Sequence, residues 1–267
     1  MSSISHKFYH LHDMDPQAIN DVYAGDCAEQ RYLDEIIFFP LKAIYKILES
    51  GHIKGDTMID LSTGPCICQL FPFCNIFKDF IILEFNESCM KTLQKWLHKE
   101  PGALNWSHVA KITAELEGSS MKPEEIEDNL RKRVKHILKC DTTNENLTDP
   151  VIIRNADCVF SFYVLEHISE NLDALHANLK KMSSMLKPGG RLILATAING
   201  THFTVAEHKY HILNYNEADL RATLKNTEFS LEHLEMMESK IRSDIIYYEH
   251  IVIASAVKKG SCDSILC

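Results

Sequence analysis

The chain has 267 residues, 45% of them hydrophobic, and a formal charge of −9, so it can bury one large core, and no Pro/Gly/Ser-rich linker divides it. The basic cluster Arg131–Lys135 adjoins the acidic Glu124–Asp128, which reads as a solvated helix face and argues against a nucleic-acid partner. No apolar run reaches the ~18 residues of a membrane span and the N-terminus has no signal-like core, so a cytoplasmic protein is expected.

Nine cysteines, at positions 27, 66, 68, 74, 89, 140, 158, 262 and 267, include no Cys-x-x-Cys pair. They read as reduced, mostly buried thiols rather than a disulfide framework or a metal site.

In chain order, apolar residues at helical spacing from Ile36 to Leu48 predict a helix over Asp34–Ser50, with Pro40 as a kink or break. Strand and helix patterns then alternate after residue 57, the mark of parallel βαβ units. Thr57–Leu61 predicts the first strand, running into Ser62-Thr63-Gly64-Pro65, where Gly64 permits a tight turn close to a ligand. The apolar run Phe80–Leu83 ends at Glu84, 24 residues beyond Asp60, where a carboxylate can accept both hydrogen bonds of a ribose diol. The loop lacks Gly-x-Gly-x-x-Gly, so a nucleoside without a pyrophosphate suits it better than a dinucleotide.

An amphipathic helix is expected over Glu125–Leu138. After it, Asp141 is placed to receive an adenine amino group and the Thr142 amide a ring nitrogen, with a turn role as the plainer reading of Asp141. Val159–Phe162 reads as the central strand, with Phe162 flanking the cofactor. Leu186–Gly190 reads as a helix end at a glycine turn that feeds the buried strand Arg191–Ala195. Glu166, His167 and His202 are the candidate proton acceptors for an amine nucleophile. Tyr247 and Tyr248 read as strand aromatics that can also line an acceptor site.

Taken together, these motifs resemble a class I methyltransferase. Asn105-Trp106-Ser107, Leu116-Glu117-Gly118, Val134–Asp141 and Ser184–Gly190 narrow the resemblance to the nicotinamide, phenylethanolamine and indolethylamine N-methyltransferase family. It implies an α/β Rossmann-like fold, with a mixed seven-stranded sheet, helices on both faces and an N-terminal helical lid. The expected organisation is a single domain over 1–260, with the lid in 1–50 and a flexible tail at 261–267. It implies S-adenosylmethionine as donor, S-adenosylhomocysteine as product, a small amine or heteroaromatic acceptor, and a monomer.

Carried over position by position, the resemblance assigns the cofactor to Tyr23, Ser62, Thr63, Gly64, Cys68, Glu84, Cys89, Asp141, Thr142 and Phe162, and the acceptor pocket to Ile19, Thr196, Phe203 and Tyr247. The chain departs from the family pattern at several of these. Ser62 replaces a loop glycine, Ile19 and Ala24 replace lid tyrosines, and Cys68, Cys89 and Phe162 replace a tyrosine, an asparagine and a threonine. Thr196 replaces a substrate-binding carboxylate, and Phe203 a tyrosine. The pattern therefore supports an N-methyltransferase, with a catalytically weak binding or interaction module as the alternative.

Overall fold

The computed structural model describes residues 6–260; the expected tail at 261–267 lies outside them. Strands β1 (Thr57–Ser62), β2 (Asp79–Glu84), β3 (Val134–Lys139), β4 (Ala156–Phe162), β5 (Leu186–Ile198), β6 (His202–Val205), β7 (His208–His211), β8 (Phe229–Glu238), β9 (Ile246–Tyr247) and β10 (His250–Lys258) form two sheets. The larger has seven strands in the order β3-β2-β1-β4-β5-β10-β8, and the smaller three in the order β7-β6-β9. The first five strands of the large sheet pair in parallel, and β10 runs antiparallel to both β5 and β8.

Met58, Ile59 and Leu61 in β1 and Val159 and Phe160 in β4 have no exposed surface. Strands covered on both faces need continuous apolar runs, and that is why these segments announce themselves in the sequence. Helices α1 (Pro16–Tyr23), α2 (Gln30–Tyr32), α3 (Phe39–Glu49), α4 (Glu87–Leu97), α5 (Ser107–Glu117), α6 (Pro123–Arg131), α7 (Leu172–Ser184) and α8 (Glu217–Asn226) complete the Rossmann-like layers and the N-terminal lid. Chain direction across the sheet reverses between β1 and β4, the switch point at which open α/β sheets bind ligands beyond their carboxyl ends.

Three expected elements differ in detail. The helix expected over Glu125–Leu138 stops at Arg131, and Val134–Lys139 is the edge strand β3, bonded to β2 alone. Its outer side meets no strand, so charged residues are tolerated and the pattern imitates a helix face. The helix expected over Asp34–Ser50 is split by a π-helical turn at Leu33–Phe38, with Pro40 in the first turn of α3. Pro40 has no N–H for the Ile36 carbonyl, and the Tyr163 hydroxyl donates to that oxygen instead, at 3.2 Å. Finally, α7 ends at Ser184 and Leu186–Gly190 already belongs to β5, bulging between the β4 partners Ala156 and Cys158.

The residues before α1 form a strap. Lys7 pairs with Tyr210 of β7, Asp15 caps α1 by accepting from the Gln17 and Ala18 amides, and Asn86 donates to the His12 carbonyl at 3.0 Å. The strap therefore crosses the carboxyl ends of the central strands.

Candidate active site

The cleft beyond β1, β2 and β4 has two halves. In the first, the β1 loop turns at Gly64, whose φ of +75° favours glycine; a Cβ there would also stand 3.0 Å from the Ile19 side chain of the lid. Beneath the loop, Ser62 Oγ donates to Asp60 Oδ2 at 2.8 Å, and Gln69 Nε2 donates to Ser62 Oγ at 2.7 Å. The serine is thus turned down into a buried polar cluster. Burial pushes the Asp60 carboxyl up to about 7, against the opposing pull of its bonds to Ser62 and Gln69.

Glu84, at the end of β2, is buried, and its Oε1 accepts from the Tyr9 hydroxyl at 2.5 Å and the Asn86 amide at 2.7 Å. Burial pushes this carboxyl up to about 8. The same Tyr9 hydroxyl accepts from the Gly64 amide at 2.9 Å. A hydroxyl that donates to a carboxylate and accepts from a backbone amide makes the pair of bonds that a ribose hydroxyl would make here, so the donor set fits a nucleoside. Tyr9, fully buried, is its stand-in.

The second half is an apolar cavity with about 650 Å³ of empty space, solvent-open part included. Ile19 and Tyr23 of α1, Ile36, Trp106, Phe162 and Phe203 supply much of its wall. His167 stacks on Phe203 with ring centroids 4.4 Å apart, and Phe203 stacks on Tyr210 at 5.3 Å. Burial pulls the His167 imidazole down to about 3, so the ring is neutral. Its Nδ1 lies 2.8 Å from Thr63 Oγ1, which ties the ring to the cofactor loop.

The structure brings together Ile19, Tyr23, Thr63, Phe162, His167 and Phe203 around this cavity. It places the other sequence candidates elsewhere. Thr196 is buried with its hydroxyl on that of Tyr215, while Ala197, the next residue, lines the cavity, because successive strand side chains face opposite ways. Glu166 is fully buried and its Oε1 accepts from the Ala197 amide at 2.8 Å; burial pushes it up to about 7. His202 sits outside the cavity lining, between the Asp244 carbonyl and the Lys209 ammonium, each 3.1 Å from Nε2. Tyr247 is 45% exposed, and Tyr248 lines the cavity instead, donating to Glu35 at 3.0 Å.

Cys68 is buried with its sulfur 3.3 Å from that of Cys66, and Cys89 is buried in the first turn of α4 beside the Tyr9–Glu84 pair. Asp141 is exposed and accepts from both the amide and the hydroxyl of Thr143 at 2.8 Å, an Asx turn that leads with Thr142 into the loop after β3. The Thr142 carbonyl accepts from Lys181.

Sequence reasoning missed Tyr9, Asn20 and Trp106. Tyr9 lies in an irregular strap with no periodicity to mark it. Asn20 is a buried polar residue on the apolar face of α1, and that exception to the helical pattern was the available signal.

A family model described as the NNMT/PNMT/TEMT family matches residues 6–259. The chain is 31% identical to nicotinamide N-methyltransferase of Sus scrofa over 98% of this chain and 99% of that protein. It is 34% identical to indolethylamine N-methyltransferase of Oryctolagus cuniculus over 75% and 76%. In fold it is similar to the N-methyltransferase NodS of Bradyrhizobium japonicum, solved with S-adenosylhomocysteine, with a TM-score of 0.54 and 11% identity over 91% of this chain and 97% of that one.

Proposed function

Because the chain belongs to the NNMT/PNMT/TEMT family and is an N-methyltransferase that uses S-adenosylmethionine, we propose that its acceptor is a small, flat, uncharged amine or heteroaromatic nitrogen compound held in the apolar cavity. The observation that carries this reading is the composition of the cavity wall. It offers aromatic and aliphatic surface and no carboxylate or ammonium, and its histidine is neutral. An organic cation would lose its hydration there without gaining a counter-ion, at a cost of several kcal/mol. The curated relatives are named for nicotinamide, indolethylamine and phenylethanolamine, which supports the reading of a small nitrogen acceptor.

When bound, the cofactor would supply a sulfonium methyl group for in-line transfer to a nitrogen lone pair, the thioether leaving as S-adenosylhomocysteine. The chain's own contribution to that reaction is placement and dryness. Glu84 and the Gly64 amide would hold a ribose once Tyr9 gave way, and Asp141 and Thr142 would serve the base. Phe162 and Tyr163, at the end of β4, line the cavity together with Trp106 and with Phe203, whose faces meet His167 and Tyr210. The reading takes the protein as a cytoplasmic monomer; among the described residues no helix is long and apolar enough to cross a membrane.

The test is formation of S-adenosylhomocysteine by the purified protein with tryptamine, indoline, isoquinoline and nicotinamide in turn, each at several pH values. Turnover of at least one acceptor in its uncharged form supports the reading. Turnover confined to pH values at which the acceptor is protonated, or no turnover while the cofactor binds, sinks it.

A further inference from the structure

The cavity has a polarity of its own at the end nearest the cofactor loop. Thr63 Oγ1 lies 2.8 Å from the Tyr163 carbonyl oxygen and 2.8 Å from His167 Nδ1. A hydroxyl has one proton and a carbonyl can only accept, so the Thr63 proton is spent on Tyr163. His167 Nδ1 must then carry a hydrogen and donate it to Thr63. In a neutral imidazole this leaves Nε2 a bare acceptor, and no hydrogen bond to a described residue is made by it. The ring lines the cavity, stacked on Phe203 at an interplanar angle of 27°.

The other hydroxyls on the wall have spent their protons too. Tyr23 donates to the Thr204 carbonyl at 2.7 Å, Tyr163 to that of Ile36, and Tyr248 to Glu35. Asn20, buried on α1, has an Oδ1 with no partner among the described residues. The Asn20 amide and the Trp106 indole remain as N–H sources, but they belong to the lid and to the entrance of α5. His167 is bonded to Thr63, the residue next to Gly64 in the loop after β1.

From this, and resting on the acceptor reading above, we infer that His167 Nε2 selects an acceptor whose nucleophilic nitrogen carries a hydrogen: a primary or secondary amine nitrogen, rather than a pyridine-type nitrogen. An amine N–H donates to Nε2 while its lone pair stays free for the methyl group. A pyridine nitrogen has only the lone pair, which faces another lone pair in this pocket and gains no bond. The preference grows during transfer, because the nitrogen becomes positive and its N–H a charge-assisted donor, roughly twice as strong as a neutral one. The Thr63–Tyr163 arrangement acts through the ring: it sets the tautomer and so the sign of the group that the acceptor meets.

The deciding experiment is calorimetric titration of the protein, with S-adenosylhomocysteine present, with indoline and with isoquinoline. These are bicyclic bases of similar size, both uncharged near neutral pH; the first has an N–H and the second does not. We expect indoline to bind roughly tenfold more tightly. In His167→Phe, which keeps a ring against Phe203 but cannot accept, the ratio should fall to about one. In Thr63→Val, which frees the tautomer, it should fall part of the way. Isoquinoline bound as tightly as indoline by the native protein, an unchanged ratio in both variants, or no binding of either would overturn the inference. Binding with the expected ratio but without turnover would instead sink the acceptor reading and leave this selection standing.

Discussion

The two halves of the cleft meet at Thr63 and are built on opposite rules. The cofactor half buries the carboxylates of Asp60 and Glu84 and gives each a set of hydrogen-bond donors from Ser62, Gln69, Tyr9 and Asn86. The acceptor half buries aromatic faces and lines them with no charge. A half that must match fixed donors and acceptors cannot change one group without leaving another unpaired. A half that matches shape can trade side chains of similar volume with less cost.

The comparison breaks most sharply at Glu84. Replacing it with Ala removes the only carboxylate that meets the loop amide through a hydroxyl. Affinity for S-adenosylhomocysteine should fall about 100-fold or more, as expected for losing both hydrogen bonds of the ribose diol. Calorimetry checks this. Binding within threefold of the native value would mean that the ribose is held elsewhere.

The next effect separates the halves by pH. Burial holds Asp60, Glu84 and Glu166 at about 7, 8 and 7, all above ordinary carboxyl values. The folded protein therefore binds more protons than the unfolded chain between pH 4 and 8, and its stability must fall as pH rises through that window. The protection is complete below the unfolded values and lost above the folded ones. Unfolding free energies from urea titrations at pH 6 and pH 8.5 should differ by several kcal/mol, and Glu84→Gln should flatten the slope. His167 works the other way: its value is depressed in the folded protein while the unfolded imidazole takes a proton below about 6.5, so it adds stability as pH rises through that range, and His167→Phe should steepen the fall between pH 6 and pH 8.5.

The same contrast governs what could be read from the sequence. Both-face burial makes Thr57–Leu61, Phe80–Leu83 and Val159–Phe162 mostly apolar runs, and Glu84 is legible because a carboxylate closing such a run needs a reason. At the sheet edge the signal fails: β3 is paired on one side only, its charged residues are exposed, and Val134–Leu138 passes for a helix. Thr196 was placed in the pocket although it and the true lining residue, Ala197, are neighbours, because the face of a strand is set by register and not by proximity in sequence. Tyr9 was invisible, since nothing in an irregular strap encodes which side chain a fold will draw inward.

Tyr9 offers a smaller and more pointed test of the cofactor half. Its hydroxyl satisfies Glu84 and Gly64, so the cofactor must displace it. Tyr9→Phe should remove the competitor, tightening S-adenosylhomocysteine binding about fivefold, while costing the unliganded protein about 1 kcal/mol for the lost bonds. Weaker binding with the same loss of stability would show instead that the hydroxyl swings aside and contacts the ligand.

The smallest expected effects fall on residues just outside the acceptor half. Tyr247 and Tyr248 are adjacent, yet Tyr248 is buried against Glu35 and lines the cavity, while Tyr247 is half exposed. Glu35 also accepts from the Ser239 hydroxyl and the Lys240 amide, so Tyr248→Phe leaves the carboxylate two of its three donors. That change should raise the acceptor KM about threefold through a loosened wall and leave kcat close to native. Tyr247→Ala should leave both constants within about twofold, because surface changes away from packed or bonded groups rarely exceed 0.5 kcal/mol. If the exposed tyrosine proved the more important of the two, the acceptor would have to reach beyond the cavity to the rim around β9, and shape inside the cavity would no longer be what selects it.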